Sequence, residues 1–160
     1  RVGYKNMCFV MVSLIPVLGS PSEQKTKPTQ HAAKQMMQLG LRPDFLCCRG
    51  KEPLLPGTKR KLSLFCSVPE NAIVSLHDVS NIYRVPLMMM EQNLPSMLAH
   101  RLKIPAFSTR GKTKDYANVP ENKRFSKSKL IKQWTSLANS VDDPESECVI
   151  GMVGKYCDQG

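Results

Sequence analysis

Three short apolar runs, CFVMVSLIPVL at 8–18, PDFLCCR at 43–49 and AIVSLHDV at 72–79, are separated by stretches with helical spacing. Runs this short and this rich in Val, Ile, Leu and Cys predict buried strands, the first closing at Gly19, Ser20 and Pro21 and the second opened by Pro43. Between them, HAAKQMMQLG turns Ala33, Met36, Met37 and Leu39 to one face and places Gly40 where a helix C-terminal cap belongs. TKRKLSLFC has helical spacing at Leu62, Phe65 and Cys66. Val85 to Leu102 reads as one long helix carrying Leu87, Met90, Leu94 and Leu98, with Pro86 tolerated near its first turn and Pro95 kinking it. Strands alternating with helices predict an α/β fold with a mainly parallel sheet.

Beyond residue 102 the pattern changes. Periodicity disappears from Lys103 to Lys129, and residues 101–133 hold ten Lys or Arg against Asp115 and Glu121, which is +8 of the chain's +10. The excess belongs to one segment, as in a basic linker, whereas a nucleic-acid surface would spread over the fold. Helical spacing returns at Leu130–Leu137, and ECVIGMVGKY at 147–156 resembles the first strand of a further domain. The expected organisation is therefore 1–102, a linker with a helix at 103–146, and the start of another domain at 147–160. A chain that begins at Arg1 without Met and stops inside a strand-like run is expected to be a piece of something longer.

Composition excludes several classes. At 160 residues, 41% apolar and 22% charged, the chain is large enough for one core and is not disordered by composition. No apolar run reaches the roughly 18 residues of a membrane span, and Met7–Leu18, interrupted by Ser13 and Pro16, lacks a signal-peptide cleavage site. The six cysteines form no CxxC pair and no His/Cys cluster has zinc spacing, so reduced thiols, a cytoplasmic setting and no metal site are expected.

Chemistry concentrates at KTKPTQ, residues 25–30. Extended spacing would send Lys25 and Lys27 to the same side, Pro28 fixes one backbone angle, and Thr26, Thr29 and Gln30 offer neutral donors ahead of a helix starting near His31. Such a loop can hold a triphosphate at a helix N-terminus; it is also what a solvated turn before a helix looks like. By their chemistry alone, Lys61 is an exposed helix lysine and Asp78 a helix cap or loop acid. Phe107, Tyr116, Phe125 and Trp134 fall nine residues apart in the basic segment, a spacing open to single-stranded nucleic acid or to a linker pinned by its aromatics.

Taken in order, KTKPTQ, PDFLCCR, FCSVPENAI and HDVSNIYRVP resemble the CTP synthases from about Leu14 to Pro86, and VIGMVGKY is similar to the start of that family's glutaminase domain. The resemblance implies a P-loop-type amidoligase domain that aminates UTP with ATP and with ammonia from glutamine. It implies that Lys25, Thr26, Lys27, Pro28, Thr29, Gln30 and Lys61 bind UTP and the inhibitory product CTP, with Lys25 and Lys27 acting in catalysis. It places ATP at Arg49, His77, Asp78 and Val79, and puts the magnesium ligands upstream of Arg1 and the glutaminase nucleophile beyond Gly160. Tyr83, Arg84 and Pro86 resemble the family as structural or interface residues. The family also implies a homotetramer. Alternatives from other classes are a truncated chain that binds nucleotide or a partner without catalysis, and a basic RNA-binding module.

Overall fold

Phe45, Leu46, Cys47 and Cys48 are consecutive and all buried, which is possible only for a strand covered on both faces. The computed structural model describes residues 3–19, 23–104 and 129–155. In it this strand, β4 (Phe45–Gly50), lies between β1 (Val10–Leu14) and β5 (Ile73–His77), and both pairings are parallel. A small antiparallel hairpin, β2 (Val17–Leu18) with β3 (Glu23–Gln24), follows β1. Helix α1 (Lys27–Gln38) then leads to β4, and α2 (Pro56–Cys66) leads from β4 towards β5. The α/β class with a mainly parallel sheet is as the sequence predicts.

The core gathers on this sheet, with Ala33 of α1, Leu62 and Cys66 of α2, and Val68, Ile73 and Val74 all buried. Replacing a buried leucine such as Leu62 with Ala costs about 2–5 kcal/mol. Burial keeps the thiols protonated: it raises those of Cys47 and Cys66 and pushes that of Cys48 up to about 12. These thiols and those of Cys8 and Cys148 are free. Gly40, at φ 77°, ends α1 as expected.

Several expectations need correction. The first run is not a buried strand from 8 to 18. It breaks into β1 and β2, and β1 stands at an edge of the sheet with Val10, Val12 and Leu14 exposed. Leu39 and Phe65 are exposed too, because the buried stripes of α1 and α2 are narrower than the apolar spacing suggested. The helix expected over Val85–Leu102 is two helices, α3 (Arg84–Glu91) and α4 (Leu94–Arg101). Asn93 adopts a left-handed conformation at φ 61°, and Pro95 in the first turn of α4 has no N–H to continue α3. Residues 147–155 form no strand, and Val149 and Val153 are fully exposed. The helix expected at Leu130–Leu137 is longer, α5 (Lys129–Asp142).

Gln92 fills a role that no periodicity predicts. Its side-chain amide accepts the Ser75 N–H at 2.8 Å and donates to the Ser75 carbonyl at 2.7 Å, so one side chain closes the free edge of β5 as a neighbouring strand would.

Candidate functional site

Parallel register places Leu14 beside Arg49 and Gly50 beside His77, so the C-terminal ends of all three strands share one edge of the sheet. Ligands of open α/β sheets collect at that edge. The chain returns there after β1. The Lys25 N–H donates to the Pro16 carbonyl at 2.8 Å, and buried Gln24 donates to the Pro53 carbonyl at 2.7 Å while accepting the Leu55 N–H at 3.0 Å. Gln24 thus stitches the hairpin to the segment that enters α2, the helix carrying Lys61.

The Lys25 ammonium donates to the Glu23 carboxylate. That hydrogen bond, the Lys25 charge and, more weakly, the Lys61 charge hold the Glu23 carboxyl below the usual glutamate range. Only Lys25 contacts this carboxylate; Lys61, on α2, acts on it weakly through its charge.

Lys27 goes elsewhere. Thr26 has helical angles, φ −94° and ψ −17°, and α1 starts at Lys27, four residues before the expected His31, because Pro28 suits a first turn. Lys25 and Lys27 are consequently not an extended pair facing one side. Lys27 opens instead onto a groove of about 440 Å³ along α1, with Gln30, His31, Lys34, Met37 and Phe65. The Thr29 hydroxyl is buried against Ser13 Oγ at 2.7 Å and donates to the Leu14 carbonyl at 3.3 Å, and the Thr26 hydroxyl accepts from Gln30 Nε2 at 2.9 Å. The Thr29 hydroxyl holds the start of α1 to β1, while that of Thr26 ties the first turn of α1 to its own Gln30. Pro28 is exposed, and no side chain caps α1, which leaves first-turn N–H groups for an anion.

Arg49 and Asp78 meet. The Arg49 guanidinium donates to the Gly50 and Leu76 carbonyls at 3.0 Å each and to Asp78 Oδ1 at 2.5 Å, and the Asp78 N–H donates to the Gly50 carbonyl at 3.1 Å. His77 and Val79 line a cavity of about 260 Å³ with Ser80, Arg84, Met88 and Glu91, whereas Arg49 and Asp78 are not among its lining residues. The proposed site residues thus fall in separate neighbourhoods: Lys25 at Glu23, the α1 groove at Lys27, and the end of β5, with Lys61 exposed on α2.

Among the described residues, no group of three or more His, Cys, Asp or Glu could hold a metal ion. No described helix is long and apolar enough to cross a membrane. Phe107, Tyr116 and Phe125 lie outside the described residues. Trp134, the fourth aromatic, packs edge-on against Tyr83 at 5.8 Å and donates its indole N–H to the Tyr83 carbonyl at 2.8 Å, so it docks α5 onto the domain.

Parallel strands alternating with helices, with an uncapped helix start and a cavity near their C-terminal edge, define an α/β domain. The chain belongs to the CTP synthase family: the profile of the CTP synthase N-terminus matches residues 1–104. The CTP synthase of Dictyostelium discoideum is 42% identical over 160 positions, covering 98% of this chain. The chain spans 27% of that relative's length.

Sequence reasoning missed Glu23, the counter-ion of Lys25. The signal was its position two residues before Lys25, the spacing that brings side chains to one side of an extended segment. It also missed Asn81 and Asp142, whose partners lie about 60 residues apart in sequence, as recorded by the contact between them.

Proposed function

We propose that this chain supplies the nucleotide-holding edge of a CTP synthase amidoligase domain. The observation that carries this is KTKPTQ at the C-terminal sheet edge, where Lys25 already holds the Glu23 carboxylate and α1 starts without a side-chain cap. An anion is already stabilised there, and a triphosphate presents the same charge more densely. The triphosphate of UTP, or of CTP as inhibitor, then spans the start of α1, meeting Lys25 and Lys61 on the hairpin side and Lys27 at the α1 groove, with backbone N–H groups at the start of α1 adding donors; Lys25 and Lys27 neutralise charge during the reaction. Thr26 and Thr29 shape this loop from within, while Pro28 and Gln30 complete its outer face. ATP sits at the end of β5, with its base against His77, Asp78 and Val79 and with Arg49 nearby.

In the reaction, the γ-phosphoryl group of ATP passes to O4 of the uracil ring. Ammonia, released from glutamine, then attacks C4 and expels phosphate, leaving CTP, ADP and phosphate. These residues contribute positioning and charge neutralisation, which dominate phosphoryl transfer. Magnesium would be held by carboxylates in the part of the enzyme upstream of Arg1, as the family resemblance implies, and would supply charge neutralisation at the phosphates. A P-loop-type amidoligase fold, a basic linker over 103–146, a glutaminase domain from 147, a homotetramer and a cytoplasmic location complete the proposal.

The test is a framework enzyme: the Dictyostelium relative with its matching segment replaced by these 160 residues. It should form CTP from UTP, ATP, magnesium and ammonia, while the 160-residue chain alone forms none. A folded framework enzyme without CTP formation, or turnover by the chain alone, would contradict the proposal.

A further inference from the structure

Helix α5 reaches the turn after β5 through residues spaced four apart. Trp134, Ala138 and Asp142 recur at i, i+4 and i+8 and so form one stripe of the helix. Each meets the turn. Trp134 donates to the Tyr83 carbonyl at 2.8 Å, and the Ala138 carbonyl accepts from Asn81 Nδ2 at 3.1 Å. Asp142 accepts from Arg84 Nε at 2.8 Å and also from Asn81 Nδ2. Ala138 is fully buried, as a small residue must be where a helix comes this close to another segment.

Ser80 and Arg84 are also two of the residues lining the cavity at the end of β5. The turn is therefore held from two sides: by the sheet, through Asp78 to Gly50 and Arg49, and by α5, through Asp142 and Trp134. Its internal bonds are few and local, such as the Tyr83 N–H to Asn81 Oδ1 at 2.9 Å. Without α5, the Ser80–Arg84 part of the cavity wall would keep only those and the tie of Asp78 to the sheet.

We infer that Asp142 and Trp134 are positioning residues for ATP: α5 fixes the 78–84 turn in the shape that receives the nucleotide. This rests on the proposal that the end of β5 takes ATP. The consequence is that a segment some 60 residues downstream sets ATP affinity without touching ATP, so a change that pulls α5 from the turn weakens ATP and spares UTP.

The experiment uses Asp142→Ala, Asp142→Glu and Trp134→Phe in two settings. In the framework enzyme, Asp142→Ala should raise the KM for ATP about five- to tenfold, leaving the KM for UTP and the kcat at saturating ATP within about twofold. Asp142→Glu, which keeps the carboxylate, should recover most of the loss, and Trp134→Phe, which keeps the ring but loses the N–H, should show a smaller rise of the same kind. In the 160-residue chain, amide hydrogen exchange over 78–84 should accelerate at least tenfold in Asp142→Ala and by less than twofold over β4. Equal losses for ATP and UTP would overturn the inference and reduce α5 to general support. Unchanged exchange and unchanged ATP response would overturn it as well, showing that the turn stands without α5. Faster exchange with unchanged ATP response would instead overturn the placement of ATP at this turn.

Discussion

Two ion pairs at opposite ends of the sheet use the same chemistry for different ends. At the N-terminal edge, Arg101 Nε donates to Asp44 Oδ1 at 2.8 Å with side chains only 11% and 6% exposed. The other Asp44 oxygen accepts the Phe9 N–H at 2.9 Å, and the Arg101 guanidinium lies 5.3 Å from the Tyr4 ring centre. At the C-terminal edge, Arg49 and Asp78 pair with 51% and 57% exposure. The first pair is closed on every side and fastens the start of β1 to α4. The second remains open to water, and so to a ligand. The same sheet thus closes one pair and leaves the other open by burial, not by residue type.

The largest effect that sharpens this contrast is Asp44→Ala. It leaves the buried Arg101 uncompensated and frees the Phe9 N–H, and urea denaturation of the chain should show about 3 kcal/mol lost. A loss below about 1 kcal/mol would erase the difference between the two edges. Arg49→Ala should cost less than about 1 kcal/mol in the same measurement, since an exposed pair is screened by solvent. A cost equal to that of Asp44→Ala would make Arg49 a structural residue.

The smallest effect concerns Glu23. Its folded pKa is depressed, so its contact with Lys25 is present above the ordinary glutamate value and is lost only as pH falls through the lower folded one. In an NMR titration, Lys25→Ala should move the Glu23 carboxyl upward most and Lys61→Ala upward by less, following the order of the causes. An unmoved Glu23 would separate the lysines from this carboxylate.

The parallel α/β class was legible because it rests on local pattern: β4 and β5 are continuous apolar runs and α1 carries its own Pro and Gly punctuation. What was not legible depends on position in the sheet. Val10, Val12 and Leu14 look like core residues until the strand order puts β1 at an edge. The family and the motif were legible from KTKPTQ and HDVSNIYRVP, yet the divergence of Lys25 and Lys27 was not, since one helical ψ at Thr26 decides it. Likewise, Tyr83 and Arg84 resembled interface residues in sequence, but their partners Trp134 and Asp142 are visible only once α5 is docked.

The central claim is that the KTKPTQ edge holds the pyrimidine nucleotide apart from ATP, and titration of UTP, CTP and ATP against lysine variants of the framework enzyme tests it directly. Removing a charge-assisted phosphate contact is worth roughly 1.5–3 kcal/mol, so Lys27→Ala and Lys61→Ala should each weaken the UTP response about ten- to hundredfold. CTP inhibition should weaken in parallel, the ATP response should change by less than about threefold, and exposed Lys132→Ala on α5 should alter none of the three. An unchanged UTP response in both variants, or an equal loss for UTP and ATP, would contradict the account.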